Sequence, residues 1–215
     1  MSIHAEKITT RNLLDGLRSF LTTFDQQRDS VRRDESRAIT DSREHSLHSA
    51  NFDQALPRLQ HYSFVVLLTL VVEARLAVFC ETLQLEHGIS PGIDSLRGGL
   101  LQRARGFLSE HFELEPPEDL WRWMQDLARV RECIVRFAGN PDLCDAADRR
   151  QIDAIVKRRA GIDIKSDPIL FHRVPTLSLR SRHLIDVETA FCLDAVTAAS
   201  GLFGYLYQHR DPTPL

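Results

Sequence analysis

The sequence predicts an all-α fold: a helical bundle of four to five main helices, with a small extended or hairpin excursion before the last one. Three observations lead there. Apolar residues recur at helical spacing through most of the 215-residue chain. The prolines, with Gly88, Gly92, Gly139 and Gly161, mark the starts and stops of these periodic stretches. Alternating, strand-like runs are short and confined to residues 162–180.

The first helix is expected to begin near Thr9, with Leu13, Leu14, Leu17, Phe20, Leu21 and Phe24 in register. From Asp25 to His48 the apolar pattern thins and acids alternate with arginines, which predicts a solvated continuation or arm. The second helix runs from about Pro57 to Glu86. Pro57 suits its first turn and Gly88 its stop. It is apolar nearly all round from Phe64 to Phe79, as the central helix of a domain would be.

The third helix carries Ile93, Leu96, Leu100, Leu101, Ala104, Phe107 and Leu108, and Pro116-Pro117 break the chain after it. Glu118 and Asp119 open the fourth helix, where acids favour the positive end of the dipole, and Gly139 and Asn140-Pro141 close it. A short helix over about 145–159 is closed by Gly161. The runs Ile162–Ile164, Ile169–Phe171 and Leu177–Leu179 form the extended excursion. The last helix is expected from Ser181 or Arg182, with Leu184, Val187, Phe191, Ala195, Leu202 and Leu206 on its stripe. This divides the chain into a helix and charged arm (1–50), a helical bundle (51–208) and a disordered tail (209–215).

Composition excludes several classes. A net charge of −3 exerts no global pull toward nucleic acid or anionic membrane. The basic residues are 24 arginines against 3 lysines, a set suited to bidentate anion contacts. Cys80, Cys133, Cys144 and Cys192 lack CxxC spacing and read as free thiols of a cytoplasmic protein, with no metal and no cofactor. Tyr62–Cys80 is nearly long enough to span a membrane, but Glu73 and Arg75 interrupt it, so a core helix is the better reading.

The fourth helix holds the strongest site signal. Arg131 falls on the expected apolar stripe of Leu120, Met124, Leu127, Ile134 and Ala138. A guanidinium there needs a carboxylate, a bound anion or a cleft. Glu73, in the most apolar helix, needs a cation, and Arg131 or Arg75 is the expected partner. Arg136 lies five residues on, roughly 140° around the helix, so the two arginines share no face, although both can flank a cleft near the helix end. Arg149, Arg150, Lys157, Arg158 and Arg159, then Arg173, Arg180 and Arg182, add positive charge nearby. His172 and His183 bracket the extended segment as acid–base candidates. His45 and His48 are three apart on the charged arm, but no third ligand follows at a telling spacing.

The run ARVRECIVRFAGN resembles the signature helix of HEPN-like (higher eukaryote and prokaryote nucleotide-binding) domains, and YSFVVLLTLVVEARLAVFCETL resembles the long helix before it. The resemblance covers roughly residues 55–208. It implies an all-α homodimer joined through the motif helix, acting on RNA or nucleotides without metal, in a bacterial defence or toxin–antitoxin setting. Arg131 would take the place of the catalytic, phosphate-contacting arginine. Arg136 stands where the motif histidine belongs and would add phosphate binding, while Glu73, Glu132 and Asn140 would support the site. Arginine stays protonated and is a poor general acid or base, so the resemblance implies phosphate binding more directly than cleavage. Two further expectations stand beside it: a non-enzymatic module that binds a protein partner, and a residual ribonuclease using His172 or His183.

Overall fold

The structure is a computed structural model describing residues 3–38, 48–49, 51–166 and 183–210. The fold is all-α, as expected. Among the described residues there are six α-helices and one two-stranded sheet. The helices are α1 (Ile3–Ala38), α2 (Leu56–His87), α3 (Leu100–Phe112), α4 (Glu118–Phe137), α5 (Ala146–Arg158) and α6 (Thr189–Gln208). The strands β1 (Ile162–Ser166) and β2 (His183–Val187) pair antiparallel, with Ile162 opposite Val187 and Ser166 opposite His183.

Three boundaries differ from expectation. Helix α1 begins at Ile3, not near Thr9, and continues unbroken through the acid- and arginine-rich stretch to Ala38. Ile93–Ser95 form a separate 3-10 turn, and α3 starts only at Leu100, after Gly98 with its φ of 106°. Residues 183–187, expected in the last helix, form β2 instead. Leu184, Ile185 and Val187 are buried there, and the backbone finds its partners on β1. β-branched residues favour such a ladder, and helix periodicity over five residues does not outweigh it. Helix α6 then starts at Thr189. The runs Ile169–Phe171 and Leu177–Leu179 and the tail 211–215 lie outside the described residues.

The chain folds as two compact units. The first comprises Met1–Gly16, Leu67–Leu127 and Ala195–Leu215. Its core includes Leu76, Phe79, Phe107, Trp121, Leu202 and Leu206, and Phe79 meets Tyr207 edge-on at 5.3 Å between ring centroids. A buried polar cluster crosses this core. The Arg75 guanidinium donates to Thr10 Oγ1 at 2.8 Å and to the Glu6 carbonyl at 3.4 Å. Thr10 shares a 2.9 Å hydrogen bond with the Tyr207 hydroxyl, and Thr82 donates to Glu6 Oε1 at 2.8 Å.

The second unit comprises Leu17–Val66 and Ala128–Asp194. Leu21, Phe64, Val130, Ile152, Ile185 and Phe191 are among its core. It too has an internal polar cluster. The Thr189 hydroxyl donates to Asp25 Oδ2 at 2.9 Å and bonds His61 Nε2 at 3.0 Å. Gln60 and Arg28 hold the other side of Asp25, at 3.1 Å and 3.0 Å from Oδ1.

By length and composition, Phe52–His87 and Thr189–Gln208 could each cross a membrane, yet half of each apolar window is buried inside the protein. Helix α2 is apolar nearly all round, but it is not buried all round. Leu67 and Leu70 are 44% and 47% exposed, so one face is left open.

Candidate functional site

Helix α4 is amphipathic, but its buried stripe runs through Trp121, Met124, Leu127, Val130 and Ile134. Arg131 therefore sits at the edge of the stripe, half-buried, and Ala138 lies outside it, exposed at a φ of 51° just past the helix end. The Arg131 Nε is shielded from solvent and has no hydrogen-bond partner. No described carboxylate lies within ion-pair distance of Arg131, and no described cation within that distance of Glu73. The expected Glu73–Arg131 strut is thus not formed. Nor does Glu73 pair with Arg75. Residues two apart on a helix diverge by roughly 200°, and Arg75 faces the Thr10 cluster.

Arg136 belongs to a different face. Its guanidinium pairs with Glu132 one turn back at 2.9 Å and lies over the Phe137 ring at 5.3 Å. Glu132 also takes Arg129 at 3.3 Å, and Arg129 reaches Asp148 at 3.6 Å. Glu132 therefore serves Arg129 and Arg136 and makes no ion pair with Arg131. Two members of the expected positive surface, Arg129 and Arg136, are thus paired with acids. Arg173, Arg180 and Arg182 lie outside the described residues.

The helix end builds the most chemically suggestive group. Ala138 and Gly139, at φ 51° and 78°, turn the chain, and Gly139 N–H donates back to the Cys133 carbonyl at 3.1 Å. Asn140 is buried, and its Oδ1 accepts from Asp142 N–H at 2.9 Å, opening the 3-10 turn Pro141–Leu143. Asn140 thus shapes the turn that presents Asp142. Strand β2 is tied to the same turn, because Ile185 N–H donates to the Gly139 carbonyl at 2.8 Å. That tie sets His183 beside Asp142, with Nδ1 at 2.8 Å from Oδ2.

Arg149, from α5, closes on the other oxygen of Asp142 and bonds Asp153 at 3.0 Å. Partial burial pushes the Asp142 carboxyl up, but hydrogen bonds and charge from His183 and Arg149 outweigh it and hold the group below the ordinary carboxylate range. A carboxylate on Nδ1 leaves Nε2 as the outward nitrogen of an imidazole 45% exposed. That is the geometry of an oriented acid–base histidine. Of the two candidate histidines, His183 has such an orienting partner, and His172 lies outside the described residues. The sequence contains no local signal for the dyad, since its members are 41 residues apart.

His48 stacks on Phe52 and bonds Glu35 at 3.1 Å, while His45 lies outside the described residues. Among the described residues no group of three or more His, Cys, Asp or Glu side chains could hold a metal ion. A cleft of about 670 Å³ lies along α1, with Gln26, Asp29, Arg32, Arg33 and Ser36 on its wall.

His61 has a shifted proton affinity. Burial lowers its pKa below the ordinary 6.5, against the opposing pull of the Val187 backbone and Asp25. Below pH 6.5 the unfolded chain takes up a proton that the folded one resists, so stability is full above that pH and falls as the solution is acidified toward the depressed folded value. His61→Gln is expected to flatten this part of the pH–stability curve in urea titrations. An unchanged slope between pH 7 and pH 5 would remove His61 as its source.

No protein-family model matches the chain, and no curated protein or solved structure is significantly similar to it.

Proposed function

We propose that the C-terminal end of α4 binds the phosphates of RNA or of a nucleotide, as in the HEPN-like helices it resembles. The setting would be the cytoplasm, in bacterial defence or a toxin–antitoxin pair. The observation that carries this reading is Arg131: a half-buried guanidinium with a sequestered, unpartnered Nε and no described carboxylate in reach. Such a cation is incomplete without an anion, and phosphate suits a guanidinium. Arg136, 61% exposed, adds a second cation once a phosphate competes with Glu132. Val135 and Leu143 are exposed and suit the homodimer that the resemblance implies. Any cleavage by the wild type would draw its proton transfer from His183 and Asp142, because the arginine at position 136 stays protonated.

The test is RNA binding and cleavage in EDTA. Arg131→Ala is expected to weaken binding about tenfold and to reduce the slope of log K against log salt by roughly one. Arg136→His is expected to gain cleavage, and His183→Ala to abolish whatever cleavage the wild type has. Equal RNA affinity in wild type and Arg131→Ala would end the proposal. A second reading, a protein-binding module, draws on the open face of α2, where Leu67, Leu70 and Leu85 are exposed. It gains ground if wild type binds no RNA.

A further inference from the structure

Cys133 and Cys144 come from different elements, the last turns of α4 and the residue after the Pro141–Leu143 turn, yet their sulfurs lie 3.8 Å apart. A disulfide needs about 2.05 Å, so the remaining gap is within a modest side-chain rotation. Cys133 is buried and Cys144 half-buried. Beside them is a gap of about 10 Å³ bounded by Arg129, Glu132, Phe137, Asp148 and Ile152. That space is about the size of one water and excludes larger ligands, so an oxidant reaches the pair from the half-exposed Cys144 side.

We propose that Cys133 and Cys144 form a peroxide-oxidisable dithiol that closes to a disulfide across the helix-end turn. The inference does not depend on RNA binding. Cys144 is the attacking sulfur, because it is the more exposed and because the Cys133 thiol, as hydrogen-bond partner, favours the Cys144 thiolate. Its thiolate attacks one peroxide oxygen, the O–O bond breaks, and hydroxide leaves and takes up the proton that Cys144 released on ionising, forming water. This gives a sulfenic acid on Cys144. The Cys133 sulfur then attacks the Cys144 sulfur. The S–S bond forms, the S–O bond breaks, and the departing hydroxide carries off the Cys133 proton as water. The two sulfurs are oxidised by two electrons together, and one peroxide is reduced to two waters. The bond would span Asn140 and Asp142, fastening the turn that holds the Asp142–His183 dyad.

Burial pushes both thiols up, with Arg149 opposing, so the reaction depends on a minor thiolate fraction. Its rate should therefore rise about tenfold per pH unit between pH 7 and 9. Cys80 and Cys192 are internal controls, fully buried and pushed up to about 12.

The experiment treats the folded, reduced chain with hydrogen peroxide, blocks remaining thiols, digests with trypsin and identifies linked peptides by mass. Cleavage after Arg131, Arg136 and Arg149 places Cys133 and Cys144 on separate peptides, 132–136 and 137–149. The expected result is these two peptides joined, with Cys80 and Cys192 unmodified. Cys144→Ser should abolish the link, and Cys133→Ser should leave Cys144 to proceed to sulfinic acid. Should Cys133→Ser fail to fold, the wild-type digest and Cys144→Ser decide. Sulfinic acid on Cys144 in the wild type without a link, links to Cys80 or Cys192, or no thiol loss at pH 9 would each overturn the proposal.

Discussion

Arg75→Ala is expected to destabilise the protein by about 3–5 kcal/mol, the combined cost of the cavity left by a long buried side chain and of its lost buried hydrogen bonds. Arg75 is 8% exposed and serves as the hub between two helices, donating to Thr10 and to the Glu6 carbonyl. Truncation leaves a void where the long side chain was packed and removes a donor from both Thr10 and the Glu6 carbonyl, in a cluster where Glu6 is only 2% exposed. Glu6 Oε2 already has no hydrogen-bond partner, so little in the surroundings can compensate. In urea the midpoint should fall while the slope stays constant. Glu6→Gln with Arg75→Met, which removes both charges and keeps volume, should cost less than the sum of its single variants by about 1 kcal/mol or more. A loss below about 1 kcal/mol for Arg75→Ala would mean that water enters the cluster and solvates Glu6 unaided.

The same cluster explains what the sequence concealed in α1. An apolar search finds Leu13, Leu14, Leu17, Phe20, Leu21 and Phe24, but Leu13 and Phe20 are 42% and 46% exposed. The inward face is Glu6, Thr10, Leu14, Leu17, Leu21, Asp25 and Arg28, a run of three- and four-residue steps with polar members at both ends. Its phase is legible in the sequence. Its polar members are not, because Glu6 turns inward, and Asp25 partly so, only where Thr82, Thr189 and Gln60 supply hydrogen bonds from distant helices. Charge in a helical register reads as solvent-facing until such partners are known.

Legibility of the candidate site divides along similar lines. The end of α4 was readable because Gly139 and Asn140-Pro141 act locally, through φ and a missing N–H. Arg131 was placed close to its true position, one step off the buried stripe, because Trp121 and Val130 shift that stripe around the helix. The Asp142–His183 dyad and the Cys133–Cys144 pair were invisible. Both depend on where the chain returns at β2, and the sequence pattern of residues 183–187 predicts the start of a helix. One strand misassigned as helix moves His183 from the tip of a ladder to a helical face, and the dyad disappears with it.

Gly139→Ala is expected to cost about 2–4 kcal/mol, combining a left-handed backbone penalty of about 1 kcal/mol with overpacking of about 1–3 kcal/mol. Gly139 has a φ of 78°, and a Cβ built there would lie 2.0 Å from the Tyr62 hydroxyl and 2.5 Å from its Cζ. The Tyr62 ring cannot yield freely, because its hydroxyl donates to the Ile185 carbonyl at 2.6 Å. Ile185 is also the residue whose N–H bonds the Gly139 carbonyl, so both ends of the clash press on β2. The methyl must push Tyr62 away from β2, or β2 away from the turn, and either movement separates His183 from Asp142. Urea unfolding should show the stability loss, and the His183 Cε1–H resonance should shift and broaden relative to wild type. In a Tyr62→Ala background the steric part is gone, and Gly139→Ala should add only its backbone term of about 1 kcal/mol. Equal costs in the two backgrounds would show that strain at φ, not contact with Tyr62, reserves this position for glycine.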